Sequence, residues 1–393
     1  MVPGVKNSRA DAPSSSATHR RFAVSRWTLF SDWFMNRFIQ LGGITVIVAV
    51  FGILVFIGIQ AWPLFGGAKV GAEQTTALSA PGGSLVGTDD SGRATFVAAP
   101  DGTVTFYDAK QKAFQTWRPD LPENVRITAQ NLRPDGSGLV YGLNNGQAFT
   151  LALNFSTRRD ENGNWLSQAA PEAGEPILVG LPEVPVTEIS FAAGAEGKIF
   201  AAVQSPGTQR ELRLTQVKER RSLMGRSRQE ATEPLRLDQQ LSAPLATVTL
   251  ASNGNILLAD TDGGIHAFFD REGEIVPRQP VFHPFPGRRI ATLGLVFGDN
   301  SLVLVSENGE NVIWALTPQH DAEGKVARVW QHTKTFPPLP GKTFRFARSP
   351  VNKAFLLASE QTASLRHSTT ESVRWEDTLA FFPAAISFGP HYA

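Results

Sequence analysis

Residues 254–270 read GNILLADTDGGIHAFFD, and this stretch shows the unit from which most of the chain is built. Two runs rich in Ile, Leu, Phe and Ala lie on either side of an Asp-Gly pair, Asp262 and Gly263. Asx-Gly between such runs is the strongest short-range signal for a β-hairpin, because both central residues of a type I′ turn need a positive φ. The stretch therefore predicts two antiparallel strands joined by a tight turn.

The same pattern of run, Asx-Gly and run recurs at 94–109, 138–153 and 301–316, and weaker versions cover 198–217 and 353–368. The predicted turn tips lie near Gly102, Gly146, Gly207, Gly263, Gly309 and Gln361. Most of these hairpins are preceded by a further short apolar run, at 125–132, 186–193, 245–252, 289–296 and 343–349. Each unit therefore contains three or four predicted strands.

The turn tips are 44 to 61 residues apart, which is the regular spacing of a repeat. One small sheet in every 45 to 60 residues is typical of the blades of a β-propeller. We therefore expect a mainly β fold, a propeller of six to seven blades over residues 84–378. A seventh blade would be closed jointly by residues 70–90 and 370–382. The alternative is a pair of β-sandwich domains, which would not require so regular a recurrence.

A different pattern precedes the hairpins, because residues 38–68 carry no charge and residues 41–61 are almost wholly apolar. A helix of that apolar length measures about 31 Å, close to the ~30 Å hydrocarbon core of a bilayer. Trp33 and Trp62 lie on either side, where aromatic rings favour the headgroup level. The sequence predicts one transmembrane helix over 38–65. The alternatives are a cleaved signal peptide, whose apolar core is usually shorter, and a buried core helix.

The distribution of charge predicts an orientation for this helix. Residues 1–37 contain six Lys or Arg and two acidic residues, whereas only Lys69 follows the apolar run closely. The positive-inside rule then puts the N-terminus in the cytoplasm and the propeller outside, which in a Gram-negative cell is the periplasm. The predicted location is the bacterial inner membrane, with a single pass.

The predicted segments beside the helix are less regular. We expect 1–37 to be a basic cytoplasmic tail, partly disordered, and 66–83 to be a linker or the first strands. Residues 22–37 fit a short amphipathic helix at the interface and equally an extension of the membrane helix. A polar and basic stretch at 217–234 is either an anion or partner site or a solvated loop between blades.

Motifs for chemistry are incomplete, and no catalytic, cofactor-binding or metal-binding residue is predicted. PGKT at 340–343 has Phe336 where a phosphate loop needs its first glycine, and DTDGG at 260–264 has too few acidic ligands for a calcium loop, so that it predicts a β-turn. The seven histidines lack metal-ligand spacing, and His266 is predicted to be a packed or edge residue. The sequence contains no cysteine, which excludes disulfides and thiol chemistry.

Five tryptophans fall in the predicted propeller: Trp117, Trp165, Trp314, Trp330 and Trp375. Propellers use such rings to fill the space between blades, and some stack a quinone cofactor on one of them. We expect the packing role here and no cofactor. The net charge of +1 argues against nucleic acid as a partner.

Two stretches carry a family resemblance: NRFIQLGGITVIVAVFGILVFIGIQAWPLF at 36–65 and LAFFPAAISFGPHYA at 379–393. Together they resemble the N-terminal part of phosphate-type ABC transporter permeases, the PstC-like subunits. The resemblance implies that 36–65 is the first membrane helix, that 69–378 is a large extracytoplasmic insertion, and that 379–393 leads to further membrane helices. The transport core of that family has no counterpart in these residues, so no functional residue can be transferred.

The expected function is therefore an inner-membrane component of an ABC-type phosphate importer, in which the propeller is a docking or regulatory module without enzyme activity. The expected partners are the permease, its ATPase and a periplasmic phosphate-binding protein. The alternative is a membrane-anchored periplasmic propeller that acts as a scaffold for envelope assembly. A propeller enzyme, either a hydrolase or a quinoprotein, is the third hypothesis.

Overall fold

The computed structural model describes residues 25–61, 81–89, 92–108, 112–159, 165–194, 197–221, 227–271, 274–320, 324, 326–370 and 373–389. The chain divides into two compact units, Met1–Gly67 and Ala68–Ala393. The described part of the first unit contains a single helix, and the described part of the second consists largely of β-strands.

The helix α1 spans Arg26–Ala61, and none of its side chains is buried. Ser25 caps its first turn, since the Ser25 hydroxyl accepts a hydrogen bond from the backbone N–H of Trp27 at 3.3 Å. The hydroxyl of Thr45 donates to the carbonyl of Leu41 at 2.8 Å, so that this polar group is satisfied within the helix. By length and composition the helix fits a membrane anchor and also a signal sequence.

The helix begins earlier than the sequence predicted. It is continuous from Arg26, so residues 26–37 extend the apolar segment instead of forming a separate interfacial helix. The predicted tail before residue 25 and most of the predicted 66–83 linker lie outside the described residues.

The second unit contains six antiparallel sheets, which we call blades 1 to 6 in chain order. Blade 1 contains β1 (Leu85–Thr88), β2 (Thr95–Ala98), β3 (Val104–Tyr107) and β4 (Ala113–Trp117). Blade 2 contains β5 (Ile127–Leu132), β6 (Gly138–Leu143), β7 (Gln147–Arg159), β8 (Trp165–Ala173) and the short β9 (Ile177–Leu178). Blade 3 contains β10 (Val186–Gly194), β11 (Gly197–Gln204), β12 (Glu211–Arg221), β13 (Ser227–Ala231) and the short β14 (Leu235–Arg236).

The remaining blades each have four strands, and a 3₁₀ turn (Asp238–Gln240) precedes the first of them. Blade 4 contains β15 (Leu245–Leu250), β16 (Asn255–Asp260), β17 (Ile265–Arg271) and β18 (Glu274–Pro277). Blade 5 contains β19 (Ile290–Leu295), β20 (Ser301–Ser306), β21 (Asn311–His320) and β22 (Val326–Phe336). Blade 6 contains β23 (Arg345–Arg348), β24 (Ala354–Ala358), β25 (Thr362–His367) and β26 (Trp375–Thr378).

Six four-stranded meanders in succession form a β-propeller, which confirms the predicted fold. All six predicted turn tips lie between the second and third strands of their blades. The prediction of a jointly closed seventh blade is wrong, because in the described chain β1 pairs with β2 and β26 pairs with β25. The described strands from the two segments predicted for that blade, β1 and β26, instead belong to blades 1 and 6.

At two of these tips, Gly263 and Gly309, glycine is required by close packing against the connection to the next blade. Gly263 and Gly309 have φ values of 83° and 80°, which side-chain-bearing residues rarely adopt. A Cβ on Gly309 would lie 1.9 Å from the carbonyl oxygen of Leu339, and one on Gly263 would lie 2.1 Å from that of Arg288. Both carbonyls belong to the connection that leads into the following blade, so each turn presses directly against it.

Five apolar clusters pack consecutive blades against each other, from blades 1 and 2 to blades 5 and 6. Many of their side chains come from the second strands, and β6, β16 and β20 are buried along their whole length. Among the described residues, no cluster joins blade 6 to blade 1. We call that junction the seam.

The propeller has two faces, defined by which connections lie on them. The hairpin face carries the connections between first and second strands, at 133–137, 251–254, 296–300 and 349–353. The Asx-Gly face carries the turns between second and third strands. Strand β26 ends on the Asx-Gly face, since Thr378 lies opposite Thr362 beside the second turn of blade 6.

Candidate interaction site

Three blades carry outer hairpins that extend past the rest of the sheet on the hairpin face. In blade 2, Ala152 of β7 lies opposite Gly138, where β6 begins, and β7 continues to Arg159 paired with β8 alone. The seven further residues extend about 23 Å at the usual rise of a strand. β21 extends similarly from Leu316 to His320 in blade 5.

The third long hairpin is the polar stretch for which the sequence favoured no strand. Lys198 is opposite Val217, so β12 continues from Lys218 to Arg221 beyond β11 and pairs there with β13. The interpretation of 217–234 as a loop between blades is therefore wrong, because most of it is a hairpin within blade 3. Lys218 lies opposite Glu230 in the register, an opposite-charge pair of the kind that favours such pairing. Residues 222–226 at its tip lie outside the described residues.

A groove of about 240 Å³ opens on the same face between blades 3 and 4. It is lined by the glycine-rich connections of the two blades and by Lys198 and Lys218. Gln216 crosses it and donates through Nε2 to the carboxylate of Asp270 at 2.7 Å. The hairpin face thus combines raised hairpins with a polar groove between them.

A central channel of about 350 Å³ runs between the first strands of all six blades. The charged side chains that line it have partners within the propeller. Arg133 is 2.8 Å from Asp135, and Glu188 is paired with Arg210. Among the described residues that line the channel, these carboxylates and guanidinium groups therefore compensate each other's charge.

Asp299 is the centre of a hydrogen-bond network at the end of the channel on the hairpin face. Its side chain is 2% exposed, and its carboxylate accepts a hydrogen bond from the Ser252 backbone N–H at 2.7 Å and from Arg348 Nη1 at 2.5 Å. Arg348 Nε also donates to the carbonyl of Pro134 at 2.8 Å. One network therefore connects blades 2, 4, 5 and 6 across the axis, and sequence reasoning had missed it.

The backbone of the PGKT loop binds a carboxylate side chain of the same protein. The backbone N–H groups of Lys342 and Thr343 donate to the two carboxylate oxygens of Glu360, at 2.8 and 3.0 Å. The hydrogen bonds from Thr343 and Lys342 hold the pKa of Glu360 below its usual value. The donors that a phosphate would need are thus engaged, which agrees with the prediction that this is not a phosphate loop.

The DTDGG stretch is a turn closed by its own first aspartate. Asp260 Oδ1 accepts hydrogen bonds from the N–H groups of Asp262 at 3.0 Å and Gly264 at 2.8 Å, while Oδ2 lies 2.8 Å from His266 Nε2. Asp260 and His266 are both buried, which confirms the β-turn and the packed histidine. Ser242 bonds the carboxylate at 3.3 Å and not the imidazole, unlike the nucleophile of a catalytic triad.

Arg366 is a buried cation that joins blade 6 to blade 5. It is 1% exposed, bonds the side-chain oxygen of Asn311, and donates to the carbonyl of Pro337 at 3.2 Å. Burial lowers the pKa of Arg366 to about 10, so the group remains charged at neutral pH. Its neutral oxygen partners and the Phe336 ring 5.2 Å away make it a structural group.

The tryptophans largely fill spaces between blades, as predicted. Trp330 is 2% exposed in the cluster between blades 4 and 5, and Trp314 packs on the same cluster and stacks on Phe282 at 4.2 Å. Trp117 packs on the cluster between blades 1 and 2. In the described part of the chain, no three His, Asp or Glu side chains gather where they could hold a metal ion.

Comparison with known proteins supports the fold and goes no further. No family model matches the chain, and no curated protein matches it. The β-propeller domain of Cps50 (Swd1) from Myceliophteria thermophila is similar, with a TM-score of 0.50 and 14% identity over 81% of this chain and 92% of that chain.

Two other solved structures give weaker scores. Raptor from Chaetomium thermophilum has a TM-score of 0.46 and 14% identity, covering 78% of this chain and 26% of that chain. The WD40 repeats of RRP9 have a TM-score of 0.43 and 13% identity, covering 78% of this chain and 83% of that chain. The described chain has a six-bladed propeller fold similar to the β-propeller domain of Cps50, together with one N-terminal apolar helix.

Proposed function

We propose that this chain is a membrane-anchored interaction scaffold whose propeller binds a protein partner on the hairpin face. The observation that carries the proposal is the projection of three outer hairpins, on blades 2, 3 and 5, from one face of a closely packed ring. A rigid scaffold that presents several raised segments on one side is suited to recognising a partner.

The electrostatics of the propeller favour binding over catalysis. The charged groups of the channel are paired internally, and the loops that resemble chemical motifs are closed by Glu360 and Asp260. Enzymes instead place groups with unsatisfied charge or perturbed pKa in a pocket. The proposed mechanism is therefore binding alone.

The proposed location is the inner membrane of a Gram-negative cell, with the N-terminus in the cytoplasm and the propeller in the periplasm. The support is the asymmetry of charge: six Lys or Arg precede the apolar helix and one Lys follows it closely. The helix would then be an anchor and not a cleaved signal. Retention of the N-terminal residues in the membrane-bound mature chain is the corresponding test.

Site-specific photo-crosslinking in cells tests the choice of face. A crosslinking residue at Asn154 or Val326, both exposed on the long hairpins, should give the same discrete adducts to one partner. The matched controls are Asp262 and Asn308, exposed at turns of the Asx-Gly face, which should give none of those adducts. Adducts from the Asx-Gly positions alone would contradict the proposal.

The identity of the crosslinked partner separates two versions of the scaffold. Envelope-assembly factors would support a scaffold for outer-membrane or wall assembly, which is the version we prefer. A phosphate-type permease, its ATPase or a phosphate-binding protein would support the second candidate, a docking module of an ABC importer. The observation that favours this second candidate is the resemblance of residues 36–65 and 379–393 to PstC-like permeases.

A further inference from the structure

The chain after blade 6 turns back toward the propeller axis. The N–H of Leu379 donates to the carbonyl of Gln361 at 2.7 Å, on the Asx-Gly face. The Phe382 ring then lies 5.1 Å from the guanidinium carbon of Arg345, at the start of the first strand of blade 6. Ile386, Ser387 and Phe388 line the central channel. Residues 379–389 thus run from the outer edge of blade 6 to its inner edge and on into the channel.

The channel wall provides an apolar surface for this segment. A Cβ on Gly87 would lie 2.3 Å from the Phe96 ring, and one on Gly294 would lie 2.2 Å from the Phe346 ring. The two glycines therefore let these aromatic rings lie directly on the first strands of blades 1 and 5. Both rings line the same cavity as Ile386 and Phe388, which are half-buried there.

The segment also lines the cavity beside the seam, where no apolar cluster of the described residues joins the two blades. Blades 1 and 6 both contribute to the channel wall through their first strands, at Thr88 and Ala347. Among the described residues they share no apolar cluster, in contrast to the five other pairs of neighbours. Ile386, Ser387 and Phe388 line the same cavity as these residues of blades 1 and 6, and they form no strand of either blade.

We infer that the central channel is a peptide-binding site whose occupant is residues 379–389 of the same chain, and that the bound segment closes the ring between blades 6 and 1. This goes beyond the proposed function, because a partner on the hairpin face would leave the occupant in place. The two proposals can be disproved separately, because crosslinking on the hairpin face does not depend on what occupies the channel.

Occupancy can be measured by thiol labelling, because the chain contains no cysteine and a single one can be introduced cleanly. In the full-length chain, Ser387→Cys should react with a bulky maleimide at least about tenfold more slowly than Phe381→Cys, since a docked residue reacts only when the segment opens. Phe381 is the matched control, because it lies on the same segment and is 73% exposed. Equal labelling rates at the two positions would overturn the assignment.

Closure of the ring is tested by Phe382→Ala, with Phe381→Ala as its neighbouring control. Phe382→Ala should accelerate labelling of Ser387→Cys and raise amide exchange in β1 and β23, but not in β10 and β15, whereas Phe381→Ala should change neither. If Phe382→Ala unfolds the whole propeller, Phe382→Leu provides the milder change for the same comparison. Faster labelling with unchanged exchange in β1 and β23 would overturn the closing role.

Discussion

The junction between blades 5 and 6 and the seam between blades 6 and 1 are built differently. The first is packed by an apolar cluster that includes Phe344, Phe355 and Leu357, and Arg366 crosses it to blade 5. At the seam, the described residues provide no such cluster. A described contact that links blade 6 across the ring is the hydrogen bond from Arg348 to Pro134 in blade 2, and the segment after blade 6 lines the channel beside the seam.

The difference shows where the cooperativity of this ring should be lowest. A junction packed by buried apolar side chains opens only with much of the fold, whereas polar links and a bound segment can open locally. The seam is therefore the place where the ring can be loosened without unfolding the blades. Each prediction below changes one side of this comparison, beginning with the largest effect.

Phe355→Ala should weaken the packed junction most. The side chain is fully buried between blades 5 and 6, so truncation should lower the free energy of unfolding by about 3–5 kcal/mol, as for other buried phenylalanines. Chemical denaturation of the detergent-solubilised chain measures this loss. The matched control is Phe297→Ala on the hairpin face, where the ring is 41% exposed and the expected change is below about 1 kcal/mol. Similar losses for the two variants would contradict the packing contrast.

Asp299→Asn should weaken the hydrogen-bond network that joins Asp299, Ser252 and Arg348. Asparagine tolerates the positive φ of 55° at this position but leaves the Arg348 guanidinium without its buried counter-charge. Removing one member of a buried pair costs about 3 kcal/mol or more in unfolding free energy. The control is Asp135→Asn, whose carboxylate is 52% exposed in its pair with Arg133 and should cost under about 1 kcal/mol. Equal losses of unfolding free energy in the two variants would show that the network around Asp299 does not stabilise the propeller.

Gly309→Ala should disturb the contact between a turn and the following connection. The added Cβ would lie 1.9 Å from the carbonyl oxygen of Leu339, and the φ of 80° would be strained, so we expect a loss of about 2 kcal/mol. Gly207→Ala is the control at the equivalent turn of blade 3, because nothing lies within 4 Å of its Cβ position. Thermal unfolding of the two variants gives the comparison, and equal midpoints would refute it.

Glu360→Gln should have the smallest effect, and one that depends on pH. Hydrogen bonds to the carboxylate lower its pKa in the folded state, so its contribution to stability is present above the unfolded pKa and is lost as pH falls through the folded pKa. The stability difference between the wild-type chain and the variant should therefore shrink as the pH is lowered from about 6 to 3. A difference that is constant over this range would contradict the role of the ionised carboxylate.

The parts of the fold that the sequence predicted are those with local signals. Asx-Gly turns between apolar runs identified four hairpins, weaker versions of the pattern identified the other two, and short apolar runs identified the first strand of most blades. The uncharged run identified the helix. The outer strands were harder to predict, because β13 (SRQEA) and β26 (WEDT) are polar edge strands without an apolar run. Their composition is that of loops, and only pairing with the third strand makes them strands.

The features of the candidate site could not be predicted because they depend on residues distant in sequence. Asp299 reads as part of a polar turn, and its partners Ser252 and Arg348 are 47 and 49 residues away. The final segment is apolar and suggested an approach to further membrane helices. Its path into the channel depends on the position of Arg345 and on the rings of Phe96 and Phe346, which only the assembled propeller brings together.

Native-state hydrogen exchange of the unmodified full-length chain tests the central contrast most directly. The measurement compares opening free energies for β1 and β23, on either side of the seam, with those for β10 and β15, at packed junctions. We expect β1 and β23 to open with a clearly lower free energy than β10 and β15. Uniform protection of all four strands, or greater protection at the seam, would contradict the conclusion that the ring is closed there by a bound segment and not by a packed apolar junction.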